Sequence, residues 1–124
     1  VTVRPEDIVD FAVSLMDWRH IRHVPVEGDD GELVGMLSHR AVFRLVAEGR
    51  FGGDHKVPVR EMMIRNPATV NSGATTVEAI RIMRDADVAC LPVVDDGKLL
   101  GLITEHDLLE VSSHLLERYL EEEK

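Results

Sequence analysis

The sequence predicts an α/β (α+β) fold in which two tandem β-α-β-β-α repeats pack on each other about a pseudo-twofold axis. Three observations predict it. First, the 124-residue chain repeats itself: residues 21–45 (IRHVPVEGDDGELVGMLSHRAVFRL) are echoed by residues 88–111 (VACLPVVDDGKLLGLITEHDLLEV). Met16 falls on Met83 and Pro25 on Pro92 at an offset of 67, and after one extra residue in the first loop Gly31 falls on Gly97 and Gly35 on Gly101 at an offset of 66. Second, each copy alternates a helical apolar stripe with short apolar strands. Third, each copy joins its strands through acidic, glycine-bearing turns. Self-similarity of this kind defines the structural unit before any single element is assigned.

Each copy begins with a short β-branched stretch, Thr2-Val3 and Thr69-Val70. A helix follows. Ile8, Phe11, Ala12, Leu15 and Met16 fall on one stripe, and Thr76, Ala79, Ile80 and Met83 repeat it with Val77 alongside. Two strands come next: Val24-Pro25-Val26 with residues 33–37, and residues 91–94 with 99–103. Their turns, Gly28-Asp29-Asp30-Gly31 and Asp95-Asp96-Gly97, have hairpin chemistry. A proline inside the leading strand of each pair removes a ladder donor, so that strand is expected at an edge or at a bulge. A second helix closes each copy. The first repeat is assigned to residues 1–48, a mobile linker holding Gly49, Gly52, Gly53 and Pro58 to 49–58, and the second repeat to 59–124. About sixty residues make a marginal core, which is why the halves are expected to share one and to leave clefts at their seam.

Composition narrows the function. Fourteen basic against 23 acidic residues leave a net charge of −9, which repels a phosphate backbone and argues against a nucleic-acid partner. Aromatics are 4%, too few for a base-stacking platform. No apolar run approaches the ~20 residues that span a bilayer, and no charged-then-apolar leader opens the chain. With the lone Cys90 unable to form an internal disulfide, a cytoplasmic domain is expected. No Gly-x-Ser-x-Gly, His-Glu-x-x-His or phosphate loop is present, so no enzyme is expected.

The segment Gly101-Leu102-Ile103-Thr104-Glu105-His106-Asp107 runs off a strand into a helix. It has two readings. In one, Thr104 and Asp107 form a capping box. In the other, Gly101 admits a close backbone approach, Thr104 offers a hydroxyl at a positive helix end, and Asp107 accepts both hydroxyls of a ribose. Cys90 reads as a small buried hydrophobe. His20 and His23, three apart near a strand start, face different ways and do not make a metal site.

The duplicated pattern of apolar-Pro-Val-Val-Asp, Asp-Gly, Leu-x-Gly and Thr-x-x-Asp resembles the cystathionine β-synthase (CBS) domain pair over nearly the whole chain. The stretch Val59-Arg60-Glu61-Met62-Met63-Ile64-Arg65-Asn66-Pro67 is similar to that family's entry into its second repeat. The resemblance implies a regulatory module that binds AMP, ADP, ATP or S-adenosylmethionine in crosswise clefts and controls a fused or partner enzyme. By that geometry one cleft is formed by Gly101, Thr104 and Asp107 with Ile21, Arg22, His23 and Thr2, Arg22 reaching phosphate. A weaker second cleft is formed by Ser38 with Asn66, Ala68, Ala89 and Cys90, because Ala41 stands where the ribose acid belongs. Arg22 also has a plainer reading as part of a basic edge paired with nearby carboxylates. The final helix, residues 105–120, carries Leu115, Leu116, Tyr119 and Leu120 past the repeat, where a second copy of the chain could pack to form a homodimer. A nucleotide-independent assembly module with vestigial clefts is the competing expectation.

Overall fold

The prolines of the two Pro-Val strands explain how each sheet begins. In the computed structural model, which describes residues 1–122 with the side chains of 112, 114–116, 119 and 121–122 outside that description, strand β1 (His23–Glu27) forms a parallel bridge from Val26 to Val3. That bridge uses the Pro25 carbonyl, which accepts from Val3 N–H, and the Glu27 N–H, which donates to the Val3 carbonyl. The N–H that proline lacks is therefore not needed. The second repeat does the same: Val70 N–H donates to the Pro92 carbonyl and Val94 N–H to the Val70 carbonyl. The β-branched stretches expected as strands are these single bridges.

Val1–Pro67 with Asp96–Leu99 form one compact unit, and Ala68–Asp95 with residues 100–122 form another. In the first unit, helix α1 (Val9–Arg19) leads into β1, which pairs antiparallel with β2 (Leu33–Ser38). The register sets His23 against Ser38 and Pro25 against Met36, with a bulge between Val26 and Glu27. Helix α2 (His39–Ala47) follows, then a single-turn helix α3 (Val59–Met62) and strand β3 (Ile64–Arg65), which pairs with β2 at Gly35 and Met36. The sheet order is β1-β2-β3. Its core gathers Val9, Ala12 and Met16 of α1, Val24 and Val26, Leu37, Leu45, Val57 and Val59. Val57, at the end of the segment expected as a mobile linker, is buried, and its carbonyl accepts from Val9 N–H at 2.9 Å.

The second unit is leaner. Helix α4 (Thr76–Ala86), strands β4 (Cys90–Asp95) and β5 (Lys98–Thr104) and helix α5 (Glu105–Glu122) enclose a buried cluster of Val70, Ala79, Met83 and Leu91. Ala68, Ala74, Ile82, Val88, Val93, Ile103 and Leu108 pack around it half-buried. Its sheet has two strands, β4-β5. Asp96 and Gly97, both at positive φ (51° and 79°), make the tight turn that the Asp-Asp-Gly sequence predicts.

Helix ends repeat as well. His20 and Asp87, at an offset of 67, are both left-handed C-caps at φ 54°, and the next residue returns its N–H to the carbonyl of Met16 or Met83. The apolar stripe of α1 is a correction. Val9 is buried while Ile8 and Phe11 are exposed, Phe11 to 48%. Val9, Val13 and Leu15 make α1 apolar almost all round, so periodicity alone does not select which face packs. Ile80 of α4, assigned to its stripe, is likewise exposed and Ile82 takes the half-buried place. The dimer contact expected of residues 115–120 falls largely outside the described side chains; Leu120, within them, is exposed.

Candidate functional site

Both readings of the Thr-x-x-Asp segment rest on the same geometry, and the capping box is formed. Thr104 N–H donates to Asp107 Oδ2 at 2.9 Å, and Asp107 N–H donates to Thr104 Oγ1 at 3.2 Å. This reciprocal pair satisfies orphan donors at the start of α5 and locks the carboxylate in place. Asp107 remains exposed, and a carboxylate offers about four acceptor positions, of which the box occupies one. A fixed acidic group with spare acceptor capacity can hold a vicinal diol. It does so without rearranging, because the helix start has already ordered it.

Ala89 and Cys90 stand at the same place. Glu105 N–H donates to the Ala89 carbonyl at 3.0 Å, joining the strand entry to the first turn of α5. Cys90 is buried, and its thiol is pushed up from 9.0 to about 11, first by burial and then by the negative charge of Asp107. It is the inert small hydrophobe that its surroundings predict. The influence of Asp107 on this thiol is a relation that sequence spacing did not disclose.

The first unit builds the corresponding corner from different residues. His39 N–H donates to the Arg22 carbonyl at 2.9 Å, the counterpart of the Glu105–Ala89 bond. Arg22 is thus tied to the Ser38–His39 helix start of its own repeat, and Ala89 to that of Thr104. Ser38 caps α2 by position with no side-chain hydrogen bond, and Ala41 is buried, so this corner lacks both halves of the box. Arg22 is exposed and joins no ion pair among the described residues, so the plainer reading of a paired basic edge is not realised for it. His39 was missed by sequence reasoning. Its Nδ1 is buried without a hydrogen-bond partner among the described residues, and its ring stands edge-on to Phe43 and His23.

The remaining candidates are placed as follows. Thr2 and Ile21 are half-buried, Ile21 against the first core. Asn66 is exposed at φ 51°, and Ala68 packs on the second core. Gly101 is open, with nothing within 4 Å of where a Cβ would stand. His106 is exposed and pairs with Glu110 at 3.2 Å. A cavity of about 320 Å³ lies nearby, lined by Ile80, Met83, Arg84, Asp87, Val88, Glu105 and Leu108. Neither Thr104 nor Asp107 lines it, so it is not the ribose corner. Among the described residues no three His, Cys, Asp or Glu side chains gather as metal ligands, and no helix is long and apolar enough to cross a membrane.

Known proteins share this arrangement. A CBS domain-containing protein of Dictyostelium discoideum is 31% identical over 94% of this chain and 86% of its own length. The inosine-5'-monophosphate dehydrogenase of Aquifex aeolicus is 36% identical over 89% of this chain, which spans only 22% of that enzyme. What is shared with the dehydrogenase is thus a module of it and not the whole enzyme. The crystal structure of CBSX2 in complex with AMP superposes with a TM-score of 0.81 at 27% identity, covering 93% of this chain and 88% of the other. The CBS domain model itself matches residues 1–48 and 59–114. A duplicated Pro-Val hairpin, a helix start capped by Thr-x-x-Asp and a family match over both repeats lead to one conclusion: the chain belongs to the CBS domain family.

Proposed function

We propose that this chain is a non-catalytic regulatory module that binds an adenosine-containing nucleotide (AMP, ADP, ATP or S-adenosylmethionine) and thereby controls an attached or partner protein in the cytoplasm. The observation that carries this reading is the Thr104–Asp107 pair, which presents an ordered, exposed carboxylate at a helix start. The AMP complex of the similar CBSX2 supports the ligand class. In this reading Asp107 holds the ribose hydroxyls, Thr104 and Gly101 line the approach, and Ile21, Arg22, His23 and Thr2 complete the pocket, with the Arg22 guanidinium on phosphate. The second pocket, Ser38 with Asn66, Ala68, Ala89 and Cys90, is the weaker because Ala41 cannot accept a hydrogen bond.

Ligand at one hundred times its Kd stabilises the folded state by about 2.7 kcal/mol. For a domain of this size that raises the melting temperature by roughly 10 °C. Asp107→Ala removes charge-assisted hydrogen bonds and weakens binding by roughly ten- to a hundredfold. Arg22→Ala weakens phosphorylated ligands and spares adenosine. Calorimetric titration decides whether the two residues serve one pocket: on that reading both variants weaken the same single binding event for a phosphorylated ligand, whereas two resolved events, each weakened by only one variant, assign them to separate pockets. No nucleotide-dependent shift with any of the four ligands sinks the reading.

The assembly reading has its own support in unit 1, where Phe11 and Trp18 of α1 and Phe43 and Val46 of α2 are exposed. A homodimer would cover such side chains. Light scattering on the chain and on Phe43→Glu checks this. A monomer in both removes it.

A further inference from the structure

The second repeat is open at a place where the first draws its side chains inward. The cavity of about 320 Å³ is lined by apolar Ile80, Met83, Val88 and Leu108 and by charged Arg84, Asp87 and Glu105, from α4, its C-cap and the start of α5. Ligand sites run from about 300 to 1,000 Å³ and are apolar with a few charged or polar groups, so this one is small but sufficient. The duplication supplies the comparison. At the offset of 67, Ile80 falls on Val13 and Met83 on Met16, and after the extra loop residue Leu108 falls on Val42. In the first repeat Met16 and Val42 are buried and Val13 packs against the same core. In the second, Leu108 is only half-buried and Ile80 is 41% exposed. The charges change sign as well: Asp87 and Glu105 stand where the first repeat has His20 and His39.

We propose that this cavity binds a small organic cation, a single ammonium on a compact apolar body, with the body on Ile80, Met83 and Leu108 and the ammonium at Asp87 and Glu105. Neither carboxylate joins an ion pair among the described residues, while Arg84, the cation of the lining, already faces Asp85 at 4.0 Å. The surplus of negative charge disfavours a carboxylate or phosphate ligand and favours a cation. An ammonium brings three donors and no acceptor, which matches two acceptor-only groups. Apolar surface leaving water supplies the affinity, and the carboxylates select the sign of the ligand. Glu105 N–H also donates to the Ala89 carbonyl at 3.0 Å, so an occupant touching Glu105 and Val88 bears on the bond that joins the strand entry to the start of α5. The inference does not depend on the nucleotide reading.

The test titrates the chain with 2-phenylethylammonium and, separately, with 3-phenylpropionate, which carries a similar apolar body with the opposite charge. Methyl and amide NMR shifts are the readout. The ammonium should move the methyl signals of Ile80, Met83, Val88 and Leu108 and the Glu105 amide together and saturably, with a Kd on the order of 1 mM for so few atoms. The propionate should bind at least about tenfold more weakly. Asp87→Asn and Glu105→Gln, both at exposed positions, should each weaken the ammonium by about two- to fivefold, and added salt should weaken it further. Ile80→Ser, also exposed, should weaken it by removing part of the apolar lining. Absence of saturable shifts at these methyls overturns the proposal. So does equal binding of the propionate, or binding that none of the three substitutions changes.

Discussion

Gly35→Ala and Gly101→Ala are the same chemical change at positions that the duplication makes equivalent, and they are expected to shift stability in opposite directions. At Gly35 the new methyl would meet Met63 Sδ at 2.6 Å and the Ile64 carbonyl oxygen at 2.9 Å. The thioether is the end of a flexible side chain and can move aside. The carbonyl belongs to β3, whose pairing with β2 is only two residues long, so β3 must shift as a whole. Overpacking that displaces backbone costs about 1–3 kcal/mol. At Gly101 the methyl meets nothing within 4 Å. There the loss of glycine's unfolded-state freedom dominates and gives a gain of about 0.5–1 kcal/mol. Urea unfolding followed by far-ultraviolet circular dichroism measures both. With a slope of about 1–3 kcal/mol per molar, the two midpoints should separate by roughly 1 M. If Gly35→Ala proves as stable as the parent, or if Gly101→Ala loses as much as Gly35→Ala, the packing difference between the repeats is not the one described.

Two further outcomes concern titration. The Asp95 carboxylate accepts from both Ser72 N–H, at 3.0 Å, and Ser72 Oγ, which hold its pKa below the ordinary 3.8. Because the folded value is the lower one, the associated stability is present above the unfolded pKa and is lost as pH falls through the folded one. A ¹³C-detected carboxyl titration should place Asp95 below 3.8, and Ser72→Ala should return it upward; an unmoved titration would show that the clamp does not form. For Cys90 the sign is reversed. Burial raises the thiol to about 11, so its contribution is complete below 9.0 and is lost as pH rises towards 11. A disulfide reagent at pH 8 should therefore label Cys90 slowly in the native chain and rapidly in urea, and equal rates would mean that the thiol is not shielded.

Much of the candidate site was legible because its parts are local. Thr104 and Asp107 are three residues apart at a helix start, and that spacing alone brings each side chain to the other's backbone N–H. Ala41 declared the defect of the first repeat in the same way. The tie between Arg22 and His39, and that between Ala89 and Glu105, were not legible, because each joins a strand entry to a helix start more than a dozen residues on. No periodicity records which carbonyl meets which amide.

The sequence by itself determined the duplication, the helix-hairpin-helix order within each repeat, the turn at Asp96-Gly97 and the capping residues of the last helix, since all of these follow from short-range backbone preference and from internal likeness; it did not disclose α3 and β3. Tertiary structure alone decided which face of α1 is buried. It chose Val9 over Ile8 and Phe11, because an apolar residue is indifferent to direction until something packs against it. It likewise decided that Gly35 is crowded and Gly101 open. Two glycines identical in local pattern differ in role only through the strand that lies beside one of them.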